Sequence, residues 1–190
     1  VAYAVQIYFD FSGYSDMAIG LGFMFGIKLP INFDSPFKAA NISDFWRRWH
    51  MTMTRFFTNF IFTPLAMRGM RSSLLARHGL ARRYLATAAM PAVATFVIAG
   101  MWHGAGWSFI VYGLIHGIAI AVNLGWREFS PVRLPDWLGW LLTMSIVVSA
   151  LVVFRAPDLT SAAVILDGMW TAGSLLPATS SLVSLAVDKA

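Results

Sequence analysis

His103 is the first residue whose type and setting could do chemistry. It lies in Met101-Trp102-His103-Gly104-Ala105-Gly106-Trp107, between an apolar run from Leu85 to Ala99 and a second from Ser108 to Leu124. An ionisable side chain at such a junction is expensive and marks a functional site unless a neighbouring helix satisfies it. Imidazole has an unperturbed pKa of about 6.5, so it can take a proton near neutral pH. A base so placed contributes about 10²- to 10⁴-fold to a step that removes a proton. Backbone amides from Gly104 to Gly106, or the Trp102 indole, could donate to the developing oxyanion. Trp102 and Trp107 could wall a pocket or belong to an interfacial aromatic belt. Gly104 and Gly106 permit the backbone angles of a break or sharp turn beside the imidazole. Cysteine is absent, and with it thiol nucleophiles, disulfides and thiolate metal sites. There is no G-x-S-x-G elbow, so direct transfer assisted by His103 is favoured, with an acyl-histidine step as the other route.

His50 is the second candidate. Trp46, Trp49, His50, Met53 and Phe57 share one face of a helix predicted from Asp44 to Phe62, with Ser43 as its N-cap. Arg47, Arg48 and Arg55 take the other side, the pattern of a helix lying among headgroups or plugging a cavity from the cytoplasmic side. His116, between Gly113 and Gly117, reads as an interhelical hydrogen-bond partner. His78 lies among arginines and is given no role. The histidines show no metal-ligand spacing, so no metal is expected. Asp10 and Asp16, on a predicted helix from Ala2 to Ile27, do not suit lipid; an interhelical polar network is the favoured reading. With His103 they would also fit an ion or proton path, the rival function.

The elements that must position these residues are membrane helices. Hydrophobic residues make up 58% of the 190-residue chain and charged residues 12%, and mean hydropathy is +0.66. Soluble domains carry about twice that charged fraction. Spans are expected at Ala2–Ile27, at Tyr84–His103 with Pro91 as a kink or break, at Trp107–Trp126 and at Trp137–Phe154. The expectation is thus an all-α, polytopic integral membrane protein with about four spanning helices, the amphipathic helix, and a further moderately amphipathic helix from Asp158 to Trp170. Ala18, Gly22 and Gly26 form a small stripe suited to tight helix packing, as do Gly100 with Gly104 and Gly113 with Gly117.

Lys28 to Asn41 reads as a loop broken by Pro30, Asn32, Asp34 and Pro36, and Arg68 to Arg83 as a basic connector. Ten of the fourteen Lys and Arg fall between Lys28 and Arg83. The positive-inside rule makes that side cytoplasmic, and lipid headgroups, not nucleic acid, its partner. No signal peptide is recognisable. Val1 to Ala190 reads as one membrane domain, a fragment truncated at both ends.

Three stretches, Tyr8–Gly22 (YFDFSGYSDMAIGLG), Asp44–Met53 (DFWRRWHMTM) and Met101–Gly104 (MWHG), resemble the membrane-bound O-acyltransferases, in particular the alginate O-acetyltransferase branch. Gly113–Gly117 (GLIHG) adds to the likeness, which runs from about Ala2 to Asp158. The resemblance implies funnels from both membrane faces meeting near a catalytic histidine that matches His103, with a second functional histidine matching His50. It implies acetyl-CoA as acyl donor with no bound cofactor, and an exported polysaccharide such as alginate, a cell-wall glycan or another exopolymer as acceptor. It further implies periplasmic acyltransferase partners and the bacterial inner membrane. D-alanyl transfer to teichoic acid, in a related branch, is the alternative within the family.

Overall fold

The computed structural model describes residues 1–72 and 79–171. Every regular element among them is helical. Arg77, His78 and the stretch from Ser174 to Ala190 lie outside the described residues.

Three rods, Leu80–His103, Trp107–Phe129 and Asp136–Arg155, are long and apolar enough to cross a membrane. The first comprises α5 (Leu80–Tyr84), a π turn at Leu85–Ala89 and α6 (Met90–His103). The others are α7 (Trp107–Phe129) and α8 (Asp136–Arg155), and α9 (Leu159–Trp170) follows with Asp158 as its N-cap. The first helix, α1 (Ala2–Met24), matches a span in length but is less apolar.

Helices α6 and α7 form the spine, and glycine sets how closely they approach. A Cβ at Gly113 would sit 2.2 Å from the Phe96 carbonyl oxygen, and one at Gly117 would sit 2.8 Å from the Val93 Cα. A Cβ at Gly100 would meet the Phe109 carbonyl oxygen at 2.2 Å. At the far end of the pair, the Tyr84 hydroxyl donates to the Ala121 carbonyl. Such small-residue contacts let two backbones pack with little side chain between them.

The stripe on α1 works differently from the expectation. Gly26 takes φ +71, the Ile27 amide donates to the Gly22 carbonyl, and the Gly26 amide donates to that of Phe23. This is a Schellman ending, with glycine in the left-handed position. Gly22 and Gly26 therefore stop the helix and turn the chain back.

The predicted helix from Asp44 to Phe62 is broken. It becomes α2 (Ile42–Arg48), α3 (Met51–Phe57), a π turn at Thr58–Phe62 and α4 (Thr63–Arg71). The N-cap is Asn41, whose side chain accepts from the Asp44 amide. Ser43 instead donates to the Asn123 side chain on α7, at 2.8 Å. Part of the expected basic connector is helix, with Arg68 and Arg71 in the last turn of α4, where cations suit the helix dipole. Pro64 and Pro91 each lie in the helical turn that follows a π turn, with one residue between. A π turn already departs from the i→i+4 pattern, so each rod continues through its proline.

Together α2, α3 and α4 make a re-entrant hairpin laid along the spine. Ser43 on α2 meets Asn123, and Trp46 then meets His116 further along α7. The chain turns at Trp49 and His50. On the way back Phe57 lines a small cleft with Thr95, Phe96 and Ala99 of α6, and Gly69 lies against Ala86. The core sits where Phe45, Trp46 and Trp49 of the hairpin meet Ala92, Ile120, Val147, Leu151 and Ala4. Of the two placements expected for this helix, among headgroups or plugging a cavity, the packing along α6 and α7 suits the second.

Candidate active site

His50 occupies the apex of the hairpin, in the left-handed region at φ 44, ψ 56. A non-glycine residue held there costs on the order of 1–3 kcal/mol unless its surroundings enforce it. Here the extended segment before Asp34 does so. The Met51 amide donates to the Asn32 carbonyl. The Asn32 side-chain oxygen accepts from the Thr52 amide at 3.2 Å and from the Thr52 hydroxyl at 2.6 Å, and lies 3.3 Å from His50 Nδ1. The Asp34 amide donates to the Arg48 carbonyl. Non-helical backbone deep in a membrane protein must have its polar groups satisfied by protein or water, and Asn32 supplies most of that here.

The His50 ring packs edge-on to Phe11 of α1 at 4.7 Å and lies parallel to Phe33 at 6.5 Å. Desolvation first, and the His103 imidazole second, push His50 down to about 4.

His103 is the last residue of α6. Its ring lies 4.9 Å from that of Trp102, 5.2 Å from Phe154 of α8 and 6.3 Å from Tyr112 of α7. Behind it, Tyr112 contacts His116 at 4.7 Å, and the Trp46 indole donates to His116 Nδ1 at 3.2 Å. His116 is 1% exposed and is the interhelical hydrogen-bond partner the sequence suggested.

Several expectations change. Trp102 and Trp107 are 63% and 74% exposed, so neither walls a closed pocket among the described residues. Gly104, at φ 164, has extended backbone that any residue adopts. What it provides is room, because a Cβ there would lie 2.4 Å from the Phe109 ring. Asp10 and Asp16 are exposed on α1 and form no ion pair or polar network with described residues. Among the described residues no three His, Asp or Glu side chains converge as a metal site would require. Sequence reasoning missed Asn32, taken there as a loop breaker, and Tyr112. A polar residue in a loop just ahead of a histidine-bearing helix was the available signal for the first.

Comparison with known proteins identifies the family. The model of MBOAT, the membrane-bound O-acyltransferase family, matches residues 1–165. The chain is 45% identical over 173 residues to a peptidoglycan O-acetyltransferase of Helicobacter pylori, covering 89% of this chain and 30% of that protein. It is 37% identical over 179 residues to a probable alginate O-acetylase of Pseudomonas fluorescens, covering 91% and 32%. It is 33% identical over 150 residues to a teichoic acid D-alanyltransferase of Bacillus subtilis, covering 77% and 36%. The chain spans about a third of the length of these relatives. With its apolar rods, its glycine-packed spine and a family match over most of its length, the chain belongs to the membrane-bound O-acyltransferases.

Proposed function

We propose that this chain carries the histidine site of an O-acyltransferase that moves an acetyl group from cytoplasmic acetyl-CoA to hydroxyls of an extracytoplasmic glycan. The observation that carries the reading is His103 at the end of α6, its ring set among those of Trp102, Tyr112 of α7 and Phe154 of α8. His103 is the general base. It takes the hydroxyl proton as the oxygen attacks the thioester carbonyl, and returns it to the sulfur as the C–S bond breaks. The Gly104 amide donates to the Met101 carbonyl, which leaves the Ala105 and Gly106 amides and the Trp102 indole as candidate oxyanion donors.

The basic ends of the rods face the cytoplasm and the donor, while His103 lies at the opposite end, toward the acceptor. On this reading the protein works in a bacterial inner membrane with a periplasmic acyltransferase partner. Peptidoglycan is the favoured acceptor, supported by the 45% identity to a peptidoglycan O-acetyltransferase. D-alanyl transfer is supported less, at 33%.

The test is acyl transfer per folded molecule in the complete membrane protein, for wild type, His103→Ala and His103→Gln. Both variants should lose about 10²-fold or more, because glutamine keeps size and hydrogen bonding but takes no proton near neutral pH. Near-normal transfer by His103→Gln would overturn the assignment.

A further inference from the structure

We propose that Asn32 is a positioning residue of the acyl-transfer site: its side-chain oxygen fixes His50 as the Nδ1–H tautomer and leaves Nε2 as the nitrogen able to accept a proton. The inference rests on the function proposed above and assigns a task to a residue outside the histidine-bearing stretches.

The orientation of the Asn32 amide follows from its partner. A backbone N–H can only donate, and the Thr52 N–H reaches the Asn32 side chain at 3.2 Å. The atom facing it is therefore the oxygen, whichever way an amide might be drawn. The same oxygen lies 3.3 Å from His50 Nδ1. An unprotonated Nδ1 would set lone pair against lone pair, so Nδ1 carries the proton. In the neutral ring that leaves a lone pair on Nε2. Histidines that act as bases or metal ligands are oriented in this way, by an acceptor on the opposite nitrogen.

Little else near the ring competes for its proton. Phe11 faces it from α1 and Phe33 from the loop. His103, at the end of α6, is the titratable group whose charge reaches it. The Arg48–Asp34 pair flanks the loop at 3.7 Å, with the Asp34 side chain largely in solvent. Burial keeps the ring neutral, so it is the tautomer that needs fixing, and Asn32 is placed to fix it. Asn32 also holds the hairpin apex through Met51 and Thr52, and the experiment must separate the two tasks.

Asn32→Asp separates them. A carboxylate still accepts from the Thr52 amide and hydroxyl, so insertion and melting should stay near wild type. Its charge beside Nδ1–H favours imidazolium and raises the pKa of His50 by about 1–3 units. The titration of the His50 ring, followed by NMR of the labelled imidazole in the complete protein, should therefore move up by about one unit or more. Asn32→Leu, compared per folded molecule, should lose about 10- to 100-fold in acyl transfer.

A folded Asn32→Asp enzyme with the wild-type His50 titration overturns the inference, since a merely structural Asn32 would move melting and not that titration. His103→Gln is run alongside for acyl transfer. If His103→Gln keeps the wild-type rate, the proposed function itself fails. If it loses rate while the His50 titration of Asn32→Asp stays put, only the role of Asn32 fails.

Discussion

Trp46 and His116 are 70 positions apart, yet one N–H···N bond joins them in the core. Truncating His116 to alanine strands a buried indole N–H, a loss of about 1–3 kcal/mol. Trp46→Phe removes the donor as well, so the double variant should fall short of the sum by about 0.5–3 kcal/mol. Thermal melting of the four proteins in detergent checks this, and strict additivity would mean that the bond contributes nothing. His50 makes a different prediction. Its folded pKa of about 4 lies below the unfolded value of about 6.5, so the unfolded chain binds the extra proton. The stabilisation is complete above the unfolded value and is lost as pH falls toward the folded one. His50→Gln should therefore melt with a shallower dependence on pH across that window; an unchanged slope would show that another group governs it. At this scale the sequence announced both site histidines, because their surroundings of Trp, Arg and Gly are unusual. It could not announce Asn32 or Tyr112, whose importance comes from distant partners.

The spacing of Trp46, Trp49, His50, Met53 and Phe57 fits one uninterrupted helical face, and all but His50 and Met53 are buried. The break at His50 is imposed by a separate segment docking through Asn32, which no local pattern records. The ends of α7 and α8 were legible within about three residues, because apolar length and polar flanks set them. The paired GxxxG spacing also carried its packing meaning, as the clash distances at Gly113 and Gly117 show. Gly113→Ala should push the spine apart or unfold it, since a Cβ there would lie 2.2 Å from a backbone oxygen; overpacking of this kind costs about 1–3 kcal/mol. Gly13→Ala and Gly20→Ala, with nothing within 4 Å, should be silent. Folded yield by size-exclusion profile compares the three, and equal yields would refute the close-approach account.

Charge orders the whole molecule along the spine. Arg68 and Arg71, Arg82 and Arg83, and Arg127 close or open helices at one end, and His103 lies at the other. The chain holds no cysteine, which suits single-cysteine labelling. In a cysteine-free background of the complete protein, Ala105→Cys should react with an impermeant reagent in intact cells, and Arg133→Cys only after permeabilisation. The reverse pattern would invert donor and acceptor sides. The gathering of arginines at one end of the rods was legible from the sequence because arginine placement is set by the membrane itself, whereas the course of α2 to α4 along the spine depends on contacts with helices made later. Gly104–Gly106 alone separate α6 from α7, so these two leave the ribosome and enter the bilayer as one unit. Trp46, His50 and Phe57 are synthesised before their partners His116, His103 and Thr95 exist. The hairpin must therefore dock on the spine only after its partners are made, and a nascent chain arrested before about Phe129 would hold inserted helices but no assembled site.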